Sequence, residues 1–306
     1  MMQILPKTNI NFVGIRKYGF LISLVLVIFG ILAFVMIFLG KASLGIDFAG
    51  GTMIQGNFEK PISVGEIRNA LSEIGYGDAE IKELTRDVSN SFMIRVKASV
   101  EEITQVGESI LAKLDSVFPD NPFHKDSVDE VGPVVGKILQ RQARLAVILA
   151  FLGILIYIWI RFDFRFGVAA TITTFHDVLV VLGLLFIFQK EITLLVVTAL
   201  LTLAGYSLTD TVVVFDRIRE NLKLFRRKGD FNSIINSSIN EVLSRTVITS
   251  TTTLLVVLTL FILGGEVIHD FAFALILGII IGTYSSVFVA SPIIVEWERK
   301  APKRFK

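Results

Sequence analysis

An aspartate stands where so apolar a chain should hold none. Asp210 follows the hydrophobic run Ile192–Gly205 and precedes Arg217 and Arg219, which mark a water interface. At about 1.5 Å of helical rise per residue it lies roughly 10 Å inside that basic edge. An ionisable group at the centre of a bilayer costs about 2.5 kcal/mol or more, and such groups pair with one another and line ion or proton paths. The expected partner is Arg245, which opens the next apolar run. Thr249, Thr252 and Thr253 follow it at i+4, i+7 and i+8, and Tyr206 lies one turn before Asp210. An acid, a base and a ladder of hydroxyls can carry a proton or hold ordered water. Ionised, Asp210 pairs with the arginine. Protonated, it loses that attraction, and helix packing shifts between two arrangements. A static salt bridge between two helices is the competing reading.

Other polar positions have plainer expectations. Asp216, beside Arg217 and Arg219, reads as a solvated ion pair at a helix end, with support of the relay as the alternative. His176 and Asp177 begin the apolar core of the third span and are expected to bond a neighbouring helix, or to extend the relay if they face Asp210. His269 and Asp270 fall in an outer loop. Asp47, within Gly45-Ile-Asp-Phe-Ala-Gly-Gly51, is expected to cap a turn for which Gly50 and Gly51 supply unusual backbone angles. Gly132-Pro133-Val-Val-Gly136 is placed as a hinge. Gly278, Gly282, Ser286 and Ala290 repeat at i+4, a small-residue stripe that lets helices approach closely, and Pro292 predicts a tolerated kink.

These side chains need a scaffold, and the composition says which. Of 306 residues, 53% are hydrophobic, which excludes an ordinary soluble domain. There is no cysteine, so no disulfide and no thiolate metal site. His124, His176 and His269 lie in separate segments, so neither a metal site nor a cofactor is expected. No Walker loop, dinucleotide fingerprint, nucleophile elbow or zinc-protease motif occurs, so no enzyme is expected. The positive charge sits at membrane edges, and no nucleic-acid partner is expected.

Six apolar segments are long enough to span a bilayer: Tyr18–Leu39, Leu139–Ile160, Phe166–Phe188, Ile192–Asp216, Leu243–Leu263 and Phe271–Val295. The first is too long for a cleaved signal core and reads as a retained anchor. Lys7, Arg16 and Lys17 share a side with Arg161, Arg165, the run Arg217–Lys228 and the tail Arg299–Lys306. By the positive-inside rule both termini of this multi-pass protein are cytoplasmic and its large loop faces out. The parts are therefore 1–40 (N-terminus and first span), 41–136 (outer domain), 137–298 (five further spans, with a basic cytoplasmic connection at 217–243) and 299–306 (basic tail).

The outer domain alternates between two periods. Ile46–Phe58 reads as a glycine-rich strand region, Ala79–Thr85, Phe92–Lys97 and His124–Val131 as strands. Ile62–Ile74 and Val100–Val117 read as helices, the second amphipathic through Ile103, Val106, Ile110, Leu111, Leu114 and Val117. Ser63 three residues before Glu66 predicts a capping box. The order β-α-β-β-α-β is a ferredoxin-like α+β pattern. Phe231–Leu243 carries an apolar stripe that suits either a short interfacial helix or an extension of the fifth span.

In combination, five stretches are specific. They are Gly45–Gly51, Val131–Gly136, Tyr206–Asn221, Ser244-Arg-Thr-Val-Ile-Thr-Ser-Thr-Thr253 and Gly282-Thr-Tyr-Ser-Ser286. On them the chain resembles the SecF family of the bacterial SecDF complex over nearly its whole length. One departure is Thr209, where the family usually has asparagine. The resemblance implies an RND-like half that uses the proton-motive force to help preproteins leave the translocon, with H⁺ as coupling ion. It also implies the bacterial inner membrane, with the large loop periplasmic. It carries the proton-relay role onto Asp210, Arg245 and Thr249, while Tyr206, Thr253 and Asp216 are the support expected from the residues alone. Implied partners are SecD, SecYEG, YajC, YidC, unfolded preprotein and membrane lipid. An RND-type exporter of a lipid or small molecule is the alternative, and a passive scaffold with a structural ion pair is the third reading.

Overall fold

The computed structural model describes residues 8–84, 90–96, 103–225 and 230–302, and divides into two compact units. One holds Leu44–Ala146 with Ile192–Leu194. The other holds the remaining helices. Thr85, Lys97 and Val100, expected element ends, lie outside the described residues, as do Lys7, 226–229 of the basic connection and 303–306 of the tail.

The first unit is built on strands β1 (Gly51–Phe58), β2 (Glu80–Leu84), β3 (Ser91–Val96) and β4 (Phe123–Val131), with helices α3 (Val64–Ser72) and α4 (Ile103–Val117) between them. The sheet order is β2-β3-β1-β4 and every neighbouring pair is antiparallel. Each β-α-β crossover therefore leaves a gap that one strand of the other crossover fills, the split arrangement expected from the element order. Central β1 and β3 are buried almost throughout, and Ile54, Phe58, Phe92 and Ile94 pack with Ile67, Leu71, Ile110 and Leu114 of the helices. Edge strand β2 turns Glu80, Lys82 and Glu83 outward, charges that discourage edge-to-edge pairing. Val117, read as part of the apolar face of α4, is 38% exposed at the end of that helix.

Ser63 caps α3 as expected. Its backbone N–H donates to Glu66 Oε2 at 2.8 Å, and the Glu66 N–H donates to Ser63 Oγ at 3.2 Å. The first of these bonds, joined by one that Ser63 Oγ donates to the same Oε2 at 2.8 Å, holds the Glu66 carboxyl below its ordinary value of 4.5. A depressed folded value means stability present above the unfolded value and lost as pH falls through the folded one. Amide exchange protection in α3, corrected for intrinsic rates, is expected to fall on acidification, and Glu66→Gln to remove that dependence. Protection that stays flat with pH in the unaltered chain would remove the cap's role.

The strand expected from Ile46 begins only at Gly51. Ile46–Ala49 is instead a single helical turn, α2. Gly50 and Gly51 end that turn at φ +75° and +130°, and a side chain on Gly50 would strike the Pro133 backbone at 3.1 Å. These two glycines are thus needed for the reason expected. Gly132-Pro133-Val-Val-Gly136 is not an open hinge: Pro133 is the first residue of α5 (Pro133–Arg161), where its missing N–H costs nothing. Gly136 lies in the first turn, where a Cβ would meet the Phe48 carbonyl oxygen at 3.0 Å.

The second unit contains α1 (Arg16–Phe38), α6 (Phe164–Ile187), α7 (Leu194–Leu224), α8 (Phe231–Leu263), α9 (Gly265–Ser285) and α10 (Ser291–Lys300). Together with α5, and with α9 and α10 continuing one another, they make six helical segments long and apolar enough to cross a membrane. The protein is a polytopic membrane protein. In α6, α7 and the α9–α10 segment about half of the apolar stretch is buried, whereas α1, α5 and α8 expose most of theirs. Helix α1 buries only Gly19, Ser23, Gly30 and Ala33, a seam of small residues on which α6 lies.

One open choice is decided here and two expectations change. Phe231–Leu243 is part of α8, not a separate interfacial helix: Ile234, Ile235 and Ile239 are buried with Phe215 and Ile218. The asparagines of that stripe have a purpose, since Ile10 N–H donates to Asn240 Oδ1 and Val13 N–H to Asn236 Oδ1. Consequently 217–243 is mostly helix rather than loop. His269 and Asp270 are also helical, in α9, with His269 against the Phe261 ring at 4.3 Å and Asp270 paired to Lys190 at 2.7 Å. Finally, the small-residue stripe does not run on as an α-helix, because Ser286–Ala290 is a π-helical turn. Pro292 follows at once. It lacks an N–H and crowds the carbonyl four residues back, and a widened turn relieves both.

Candidate functional site: buried carboxyls on facing helices

Asp210 is on α7 and only 7% exposed. Residues 207, 210, 211 and 214 of that helix recur on its buried face, so the periodicity that buries Val214 also turns the acid inward. Its described hydrogen bond comes from Ser250 of α8, whose Oγ donates to Asp210 Oδ2 at 3.4 Å. Ser250 shares a second bond, of 2.7 Å, with Thr283 Oγ1 of α9. Thr283 Oγ1 also donates to the Ile279 carbonyl at 2.7 Å. Three helices therefore meet at one carboxyl through two hydroxyls.

Arg245 is not paired with it. The guanidinium lies exposed on α8, and no ion pair within 4.0 Å joins it to Asp210 among the described residues, so it acts on the acid only through space. The expected buried couple is thus a buried acid with an exposed base. The reason is angular: Arg245 and Ser250 are five residues apart on α8, about 140° around the helix, so when Ser250 faces Asp210 the arginine cannot. The threonine ladder faces its own backbone. Thr249 Oγ1 donates to the Arg245 and Thr246 carbonyls, both at 3.0 Å, and Thr253 Oγ1 to the Thr249 carbonyl at 2.9 Å. Thr209 does likewise toward Gly205, at 3.1 Å. Tyr206 packs with Val257, Ala272 and Ile279, and its hydroxyl is buried without a partner among the described residues. Asp216 accepts from Arg161 Nη2 at 2.5 Å and lies 4.0 Å from Arg219, the helix-end ion pair expected of it.

Sequence reasoning underrated Asp177. It is completely buried near the middle of α6 and accepts bonds from three donors. These are His176 Nδ1 at 2.8 Å, Ser285 Oγ of α9 at 2.7 Å, and Ser207 Oγ of α7. Ser207 stands one turn before Asp210 on the same helix. Gly282 makes room for it, since a Cβ there would meet Ser207 Cβ at 3.0 Å, and Gly278 does the same for Leu203. The signal was available: an acid inside an uncharged run is what singled out Asp210. Ser207, Ser250, Thr283 and Ser285 stand inside stretches that carry the resemblance, but nothing marked them one by one, because a hydroxyl in an apolar helix can satisfy itself on its own backbone.

Asp47 does cap a helix, but a distant one. Its Oδ2 accepts the N–H of Leu194, the first residue of α7, at 2.8 Å. Gly45 N–H donates to the Ile192 carbonyl at 3.0 Å beside a parallel bridge between Leu44 and Ile192.

Comparison with known proteins places the chain in a family. Residues 110–300 match the family described as protein export membrane protein SecD/SecF, C-terminal. The chain is 49% identical over 296 residues to the protein translocase subunit SecF of Thermodesulfovibrio yellowstonii, covering 96% of this chain and 97% of that protein. It is 44% identical over 289 residues to the SecF of Calditerrivibrio nitroreducens, covering 94% and 93%. The crystal structure of SecDF from Thermus thermophilus, a translocon-associated membrane protein, superposes with a TM-score of 0.81 at 36% identity. That match covers 98% of this chain and 40% of the SecDF chain. A SecDF structure in a super-membrane-facing form gives 0.68 at 35% identity.

Proposed function

This chain belongs to the SecF family of protein translocase subunits, and we propose on that premise that it works with a SecD-type partner to drive preprotein export with the proton-motive force. The chain spans 40% of the SecDF chain it resembles, and the partner would supply what the remainder supplies there. SecYEG is the translocon it serves, with YajC and YidC as further companions. Both termini face the cytoplasm and the mixed α/β unit faces outward, by the lysine and arginine distribution. The export of a lipid or small molecule is not favoured, since the similar proteins are translocase subunits.

The observation that carries the relay is the three-helix contact at Asp210. Thr283 and Ser250 have one proton each and more than one acceptor to satisfy. With Asp210 ionised, Ser250 donates to it, and Thr283 must choose between Ser250 and Ile279. With Asp210 protonated, the donors run in one direction, from the acid to Ser250, to Thr283, to the Ile279 carbonyl. One proton thus reorders the bonds joining α7, α8 and α9. A charge crossing the full field gains about 2.3 kcal/mol per 100 mV, enough to bias two such arrangements. Arg245 sets the field at the acid and Thr249 shapes the helix beneath it.

The absence of a close pair makes a specific forecast. A guanidinium acting through space needs its charge and not its planar fork. Arg245→Lys is expected to retain most proton-driven export in vesicles, and Arg245→Gln to lose it. Equal loss in both would place the arginine in direct contact with the acid during turnover, and full activity in both would remove it from the relay.

A further inference from the structure

The relay above leaves a second buried acid unused. His176 and Asp177 lie side by side within α6, and Asp177 is entirely inaccessible. The carboxylate at Nδ1 fixes the imidazole proton there, so Nε2 carries a lone pair. Nε2 is buried and has no hydrogen-bond partner among the described residues, on a residue 7% exposed. An imidazole nitrogen buried and unpartnered beside a carboxylate is a poor structural device. It is a sound place to put a proton.

We propose that His176 and Asp177 are a second proton-carrying couple, with Nε2 of His176 as the acceptor and Ser207 as the link to the helix that carries Asp210. This rests on the proton-coupled reading given above. In the step, a hydronium-borne proton from one membrane face forms an N–H bond at Nε2 and later leaves to water at the other. No other covalent bond changes. The couple passes from one net negative charge to an internally neutral imidazolium–carboxylate pair, which removes a lone charge from the bilayer interior. Nε2, having become a donor, then requires an acceptor. Asp177 meanwhile shares its charge between His176 and the hydroxyls of Ser207 and Ser285, and those two bonds weaken. Ser207 is three residues from Asp210 on α7, and Ser285 two from Thr283 on α9. The second site therefore pulls on the same two helices that Asp210 holds.

The elements packed against the couple bring few ionisable groups among the described residues. Helix α7 offers Ser207, with Asp210 one turn on. Helix α9 offers Ser285, and its Tyr284 hydroxyl donates instead to the Gly19 carbonyl at 2.7 Å. The buried seam of α1 is Gly19, Ser23, Gly30 and Ala33, the π-turn brings only Ser286, and α5 brings the Phe151 ring against Phe175. The Glu298 of α10 is paired with Arg165 at the start of α6.

The test uses the full chain with its SecD partner in liposomes, with ¹⁵N-labelled histidine. One imidazole signal, absent from His176→Asn, is expected to change from the neutral to the protonated form over the pH range in which export responds to the gradient, and to respond differently in Asp177→Asn. Asparagine at 176 keeps a donor toward Asp177 but has no Nε2. His176→Asn is therefore expected to assemble normally and to lose the pH dependence of proton-driven export, which a structural pin would leave intact. A ring that holds one protonation state across that range, or an unaltered export–pH profile in His176→Asn, overturns the proposal. If Asp177→Asn does not fold, the titration in the unaltered protein still decides. Should Asp210→Asn abolish export while His176 proves inert, this inference alone fails. Should Asp210→Asn export normally, the underlying relay fails.

Discussion

Asp210→Asn is expected to abolish the proton-driven part of preprotein export while leaving the chain folded and bound to its partner. Asparagine has the same size and can still accept from Ser250, so the contact that spans 3.4 Å between α7 and α8 survives. What goes is the ability to take up and release a proton, and with it the reversal of the Ser250–Thr283 donor chain. The measurement is translocation of a preprotein in vesicles with and without an imposed proton gradient. The gradient-dependent increment should vanish and the gradient-independent remainder should not. Near-normal stimulation in the variant would leave Asp210 as a polar fastener between helices and return the scaffold reading to favour. Thermal stability close to that of the unaltered protein is part of the forecast, because no buried group loses its partner.

The second large effect is on assembly. A Cβ on Gly183 would come within 2.8 Å of Gly30 Cα and of the Phe29 carbonyl carbon. One on Gly30 would press on the Leu179 carbonyl group. Both obstacles are backbone and neither can turn aside. Close approach of this kind is how helices bind where no hydrophobic effect operates between them. Forcing atoms into such a seam costs about 1–3 kcal/mol for a methyl or two, and Gly183→Leu adds more than that. The expected result is a marked fall in thermal stability and yield from membranes for Gly183→Leu, with Gly30→Ala intermediate. Gly153→Ala is the control, since nothing lies within 4 Å of a Cβ there. Equal stability in all three would mean that α1 and α6 are not packed through these glycines.

Why Asp210 was legible and its partners were not follows from how each residue declares itself. A carboxylate in an apolar run is conspicuous because its desolvation cost is large and must have a reason. The same signal marked Asp177, for which a bond to a neighbouring helix is the plainer expectation; the bond exists, and only the approach of Ser207 and Ser285 from two helices shows how fully the acid is enclosed. Arg245 misled for a different cause. Two opposite charges at matching depth on consecutive spans suggest a pair, yet depth says nothing of azimuth, and the helix that turns Ser250 toward the acid turns the arginine away.

Much of the architecture was written in one dimension. Hydropathy over some twenty residues marks a membrane helix because each such segment must satisfy its own backbone in lipid, and all six were placed within a few residues on most ends. The strands and helices of the mixed unit, and the Ser63–Glu66 cap, were legible because they depend on neighbours two to four residues apart. Tertiary structure alone decided what depends on rotation and approach between helices. It set which face of α8 meets Asp210, that Phe231–Leu243 is buried against Phe215, and that Asp47 caps Leu194 across a long stretch of chain. Periodicity shows that a helix has a face, and packing decides what that face meets.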